Sequence, residues 1–175
     1  MWQIFEGYYA VQSDNNIILR NIIQDLKSRF NEMLVSVIQF GSTAREMSKE
    51  YSDIDLLVIL DNLDQSLKEK SELEFELSWD WQEKYNKKID LILMSREDAV
   101  ANFEVHSSLF STLVLGVKIY FDKGQFFLNK LSSFLEEMKN QNYFYTDSYT
   151  TWNLSQKATD LLNSPENLSE WLSTT

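Results

Sequence analysis

Phe40-Gly41-Ser42-Thr43-Ala44-Arg45-Glu46-Met47-Ser48-Lys49-Glu50-Tyr51-Ser52-Asp53-Ile54-Asp55-Leu56-Leu57-Val58 runs from the end of one apolar segment, through a polar loop, into the start of another. Leu34 to Phe40 is apolar and β-branched and stops at Gly41; Ile54 to Leu60 is a second such run and stops at Asp61-Asn62. Both read as buried strands. A strand that ends in Gly-Ser permits a close turn, because glycine lets the backbone approach phosphate oxygens and serine adds a neutral hydroxyl donor. Asp53 and Asp55 bracket Ile54 at the head of the second strand, and strand alternation puts both carboxylates on one face.

Two like charges held that close repel unless a positive group lies between them, and a hard divalent cation with oxygen ligands is the usual answer. Magnesium keeps several waters and takes one or two carboxylates plus substrate phosphates. An Asp-x-Asp pair facing a Gly-Ser turn therefore suits a metal–triphosphate site. A third carboxylate, Asp90, lies early in the apolar run Ile89-Asp90-Leu91-Ile92. A charge there is costly unless it meets a metal or sits at the mouth of the sheet. Asp90 is the natural third ligand.

Working outward, Ile18, Ile22, Leu26 and Phe30 recur every four positions between Asn16 and Met33, the pattern of an amphipathic helix. From Ser66 to Tyr85 two readings compete. Leu73, Phe75, Leu77, Trp79 and Trp81 alternate as in a strand, whereas Leu73, Leu77, Trp81 and Tyr85 fall four apart. The Glu, Lys and Leu content favours helix. Ile89 to Met94 reads as a third strand, and Ser95-Arg96-Glu97-Asp98 resembles a capped helix start.

Helical periodicity continues to Leu115, with a break near His106, and Gly116 offers a left-handed terminating position. Val117 to Phe121 is expected to be a fourth strand and Asp122-Lys123-Gly124 a turn. Phe127, Leu131, Phe134 or Leu135, and Met138 then recur at helical spacing. From Asn140 the chain is aromatic and polar, with Tyr143, Phe144, Tyr145, Tyr149 and Trp152, and a last short helix is expected from Ser164-Pro165. Strands separated by helices in one short chain indicate an α/β (α+β) fold, a small mixed sheet flanked by helices. The expected organisation is one catalytic domain over residues 1–123 and a C-terminal helical extension over 124–175.

The chain has 175 residues and no cysteine, so disulfides, thiolate zinc sites and cysteine nucleophiles are excluded. No leader pattern stands at the start, and no run reaches the roughly 18 apolar residues of a membrane span. A cytoplasmic location without a membrane partner is expected. The formal net charge is −11, from 16 basic and 27 acidic residues. That balance repels a phosphodiester backbone and argues against nucleic acid as a partner. It favours a protein, a small polyol or a polycation.

Gly41-Ser42, ten intervening residues, then Asp53-Ile54-Asp55, with Ala44, Arg45 and Ser52-Asp53-Ile54-Asp55-Leu56, closely resembles the signature of the minimal nucleotidyltransferases of the polymerase-beta-like superfamily. The resemblance extends in element order from about Asn16 to Phe121. It implies the nucleotidyltransferase fold, two magnesium ions, and transfer of a nucleoside monophosphate from ATP or another nucleoside triphosphate to an acceptor hydroxyl. Carried over, Gly41 and Ser42 contact the triphosphate, Asp53 and Asp55 the metals, and Asp90 the catalytic metal. Two positions depart from the family pattern: Thr43 stands where an arginine is frequent, and Glu46 where a glycine is frequent.

Arg45 and Lys49 are the nearest cations and are candidates to neutralise phosphate oxygens. The acceptor expected from the resemblance is a helical partner protein, as in toxin–antitoxin pairs whose nucleotidyltransferase adenylylates a partner nuclease. The alternatives are an aminoglycoside-type antibiotic and a catalytically silent partner-binding module. His106, the only histidine, reads as structural, and the aromatic cluster from Tyr143 to Trp152 as core or partner surface.

Overall fold

The computed structural model describes residues 2–44, 52–63, 66–146 and 150–163, with backbone alone over residues 2–14. Its centre is strand β1 (Leu34–Phe40), flanked by β2 (Ile54–Leu60) and β4 (Lys118–Asp122), with β3 (Ile89–Ser95) beyond β2. β1 runs antiparallel to both neighbours, while β2 and β3 are parallel. The sheet is therefore mixed. Strands covered on both faces should be apolar throughout, and β1 and β2 are buried along nearly their whole length.

Alternation sorts the apolar side chains into two cores. Ile54, Leu56, Val58 and Leu60 of β2, with Ile89, Leu91 and Leu93 of β3, pack against Leu19, Ile22 and Leu26 of helix α1 (Trp2–Phe30) and Leu77 and Trp81 of α3 (Leu67–Tyr85). Leu57 and Ile59 face the opposite way. They meet Phe103 of α4 (Arg96–Glu104), Phe110 of α5 (Ser108–Leu113), and Phe127, Leu131, Phe134 and Leu135 of α6 (Phe126–Lys139). Each such large side chain stabilises the fold by about 1.5–3 kcal/mol on burial.

The ambiguous stretch after Ser66 is a helix. Ser66 accepts the Glu69 backbone N–H while the Glu69 carboxylate accepts the Ser66 backbone N–H, so the first turn is satisfied reciprocally. Leu77 and Trp81 are buried, whereas Phe75 and Trp79, which only the strand reading would place inside, are exposed. Helix α1 is longer than its apolar periodicity, beginning at Trp2, and it stops at Phe30 because Asn31 adopts φ 46°. The break at His106 is real: that residue has φ 49°, and the Ser107 hydroxyl caps α5.

The last strand of the sheet lies one residue later than its sequence pattern suggests, at Lys118–Asp122. The Asp122 carboxylate accepts from the Ser36 hydroxyl (2.7 Å) and from the backbone N–H of Phe127 (2.9 Å) and Leu128 (3.0 Å). It ties β1, β4 and the start of α6 together. Beyond α6, a hairpin of β5 (Phe144–Thr146) and β6 (Thr151–Asn153) leads into α7 (Leu154–Asn163), whose Leu154 and Ala158 enter the α6-side core. Residues before and after Lys123 thus share that core. The helix expected from Ser164-Pro165 lies outside the described residues, as does Tyr149. Among the described residues no helix is long and apolar enough to cross a membrane.

Candidate active site

The sheet's topology brings the three aspartates together. Asp55 pairs with Asp90 across the parallel β2–β3 ladder, and Asp53 precedes Asp55 by two residues at the mouth of β2. Side chains of parallel partners and of i, i+2 positions share a face. It is the face that carries Leu57 and Ile59 deeper in the sheet, so the carboxylates stand at the rim of the α6-side core. The backbone N–H of Ile54 donates to the Lys88 carbonyl (3.0 Å), fixing the two strand heads side by side.

On the other flank of β2, Phe40 pairs with Asp55, and the chain turns sharply at Gly41, φ 74°, into the single turn α2 (Gly41–Ala44). Gly41 is obligatory here for two reasons. Its backbone is left-handed, and a β-carbon on it would lie 2.9 Å from the Asp55 carboxyl carbon. The Gly-Ser turn is therefore packed directly on a candidate metal ligand. Ser42 stands half-buried beside it.

Thr43, a departure from the family pattern, is tied to the first aspartate. It is buried, and its hydroxyl donates a short hydrogen bond to the Asp53 carbonyl, clamping the turn to the first aspartate. Arg45, Glu46 and Lys49 lie outside the described residues.

Lys88 is the residue that the sequence reading missed. Its ammonium donates to Asp53 Oδ2 (2.6 Å) and to Asp90 Oδ2 (2.8 Å), bridging two of the three carboxylates. Those two bonds, Asp53 first and Asp90 second, hold its pKa well above the usual lysine range. The signal was available: Lys88 precedes Asp90 by two residues at a strand head, so alternation places it on the carboxylate face. All three groups remain solvent-accessible, at 55% for Lys88, 38% for Asp53 and 52% for Asp90.

Among the described residues no three acidic or histidine side chains are gathered closely enough to hold an ion outright. Two of the three carboxylates instead turn to Lys88. The donor set nevertheless fits a hard divalent cation: all oxygen, on one face, and already holding a positive charge in the ammonium.

The remaining candidates, His106 and the aromatic cluster, engage in packing and hydrogen-bond contacts. His106 Nδ1 is 2.7 Å from the Tyr143 hydroxyl and Nε2 3.2 Å from Glu137 Oε2, with Phe134 packed edge-on against the ring. Tyr143, Tyr145 and Trp152 pack on the α6-side core, and Tyr145 stacks on Trp152 across the hairpin.

A sheet whose strand ends place a Gly-Ser turn against paired aspartates is the architecture of a nucleotidyl-transferring domain. Residues 19–115 match the family described as the nucleotidyltransferase domain, over half of the chain, and the chain belongs to that family. It is a nucleotidyltransferase. It is 29% identical over 140 residues to the Methanocaldococcus jannaschii protein named "Putative protein adenylyltransferase MJ1305", spanning 80% of this chain and 94% of that one. Among solved structures it is similar to a chain of the MntA–HepT toxin–antitoxin crystal structure (TM-score 0.46, 14% identity, 86% of this chain and 97% of that chain). It is also similar to a chain of the tri-AMPylated Shewanella oneidensis HEPN toxin in complex with MNT antitoxin (TM-score 0.45, 16% identity, 89% and 98%).

Proposed function

We propose that this protein transfers AMP from ATP, with magnesium, to a hydroxyl group on a partner protein. The observation that carries the reading is the placement of Asp53, Asp55 and Asp90 on one sheet face, with Gly41 packed against Asp55. The relative named a protein adenylyltransferase, matched over nearly its whole length, supports adenylyl as the group and protein as the acceptor. In this reading the acceptor is a helical partner protein.

In this reading Asp53, Asp55 and Asp90 hold two magnesium ions. Bound there, magnesium supplies charge neutralisation for the triphosphate and a lowered pKa for an oxygen it contacts. Gly41 and Ser42 receive the triphosphate, the glycine through its bare backbone and the serine through its hydroxyl. Arg45 is assigned to the phosphates as well. Thr43 holds the turn and Asp53 in a fixed relation, so nucleotide and carboxylates are positioned by one rigid unit.

The acceptor oxygen attacks the α-phosphorus in line, forming an oxygen–phosphorus bond as the bond to the α–β bridging oxygen breaks. Asp90, which is more exposed than Asp53, takes the acceptor proton. Pyrophosphate leaves, and no covalent enzyme intermediate forms. Residues 1–123 carry this chemistry, helices α6 and α7 complete the core, and the extension over 124–175 is assigned to the acceptor.

The reading is tested by calorimetric titration of a non-hydrolysable ATP analogue with and without magnesium. Binding that requires magnesium and disappears in Asp55→Asn is expected; equal binding in its absence would refute the assignment.

A further inference from the structure

We infer that the Lys88 ammonium is a built-in counter-ion that occupies the cation position between Asp53 and Asp90 and is displaced when a divalent metal binds. The inference rests on the metal assignment of the proposed function and goes beyond it.

Lys88 makes two charge-assisted hydrogen bonds, to Asp53 Oδ2 at 2.6 Å and Asp90 Oδ2 at 2.8 Å. Both acceptors belong to the proposed metal-holding set. Each carboxylate keeps further lone pairs, but a dication seated between the same two carboxylates would meet the ammonium at close range, and that like-charge repulsion drives the lysine out. Eviction is sterically open. The Lys88 side chain is 55% exposed, and its four-carbon stem can carry the charge into solvent.

The energetic consequence has a definite sign. Without Lys88 the carboxylates would repel one another, and metal binding would relieve that repulsion in full. With Lys88 present, two exposed ion pairs are lost whenever metal arrives, so the lysine weakens metal affinity. It also keeps the strand heads together before metal arrives. Lys88 is thus a positioning residue whose charge sets the metal concentration at which the site fills, and nucleotide, which brings further ligands, helps to overcome it.

Two measurements on the full chain test this. In the first, Mn2+ binding is read by electron paramagnetic resonance for wild type, Lys88→Met, Lys88→Gln and Asp55→Asn, with folding checked by circular dichroism. Lys88→Met and Lys88→Gln should bind Mn2+ about tenfold more tightly than wild type, the equivalent of two exposed ion pairs no longer surrendered. Equal or weaker binding by both variants overturns the inference while Asp55→Asn still reports on the site. Undiminished binding by Asp55→Asn overturns the metal assignment and the inference with it.

In the second, acetylation of wild-type lysines by an activated ester is followed by mass spectrometry. Saturating magnesium should accelerate modification at Lys88 several-fold relative to the other lysines. An unchanged Lys88 rate contradicts displacement, because a metal that binds beside the lysine without evicting it leaves both hydrogen bonds in place.

Discussion

Gly41 lies so close to Asp55 that a β-carbon on the glycine would come within 2.9 Å of the aspartate's carboxyl carbon. The turn proposed to receive phosphate and the carboxylate proposed to receive metal are thereby one packed unit, and moving either moves both. Gly124 offers an internal control. Its φ of 64° matches the 74° of Gly41, but nothing lies within 4 Å of its β-position. Gly124→Ala should cost about 1–2 kcal/mol of stability through backbone strain and leave transfer intact. Gly41→Ala should cost more and abolish transfer, as read by thermal melts and labelled-nucleotide assays on the pair.

Asp53→Asn and Asp55→Asn should separate activity from stability. The Asp53–Lys88 pair is exposed and is worth about 0–1 kcal/mol at most. Relief of carboxylate repulsion acts in the opposite direction. Melting should shift by only a few degrees either way, while transfer falls by more than about 100-fold, the upper range for losing even an indirect metal contact. Substantial residual turnover in the double variant would place the metal elsewhere.

Thr43→Val keeps the shape of a buried side chain and deletes its hydrogen bond to the Asp53 carbonyl. A loss of about 1 kcal/mol in stability is expected, because the carbonyl is left without that donor. If the clamp positions the site, kcat should fall while nucleotide affinity changes little. Unchanged kcat would reduce Thr43 to a packing residue.

Truncation after Lys123 should unfold the chain instead of yielding a smaller nucleotide-binding domain. It would remove Phe127, Leu131, Phe134, Leu135 and Met138, all buried against Phe103, Phe110 and the sheet. At about 1.5–3 kcal/mol each, or about 7–15 kcal/mol together, their loss is as large as the whole stability of a typical domain, about 5–15 kcal/mol, and exposure of the remaining core adds to it. Circular dichroism of the truncated chain settles this: a cooperative melt would show that residues 1–123 fold alone.

Alkaline pH should weaken the fold through Tyr120. Burial pushes its phenol up to about 12, and its hydroxyl donates to the buried Gln39 side chain at 3.0 Å. The unfolded phenol ionises near pH 10. Its contribution is fully present below about pH 10 and drains away as pH rises toward about 12. Tyr120→Phe should be less stable by about 1–3 kcal/mol at neutral pH, where Gln39 loses its donor, and the gap should narrow across that alkaline window in urea melts.

The sheet was readable because β1, β2 and β3 are near-continuous apolar runs closed by glycine or polar pairs, and because Asp53 and Asp55 interrupt that pattern at a strand head. The capping serine at Ser95 likewise announced α4, whereas α3 was decided by its Glu, Lys and Leu content and its Ser66 capping box is visible only in the structure. Strands β5 and β6 were not readable, since three residues carry no period and their outward residues, such as Phe144, are exposed. Lys88 escaped because a lysine pair, Lys87-Lys88, before a strand ordinarily belongs to solvent, and the two partners of Lys88 come from different strands brought together by the parallel register. The adenylyl group and the protein acceptor leave no mark in these residues. They rest on relatives.

The most direct test pairs this protein with the product of the adjoining reading frame and supplies ATP labelled at either the α- or the γ-phosphate, with magnesium. Transfer of α-label to the partner, absence of γ-label, and loss of both signal and pyrophosphate release in Asp55→Asn are expected. Transfer of γ-label, or α-label transfer that survives Asp55→Asn, would contradict nucleotidyl transfer at this site.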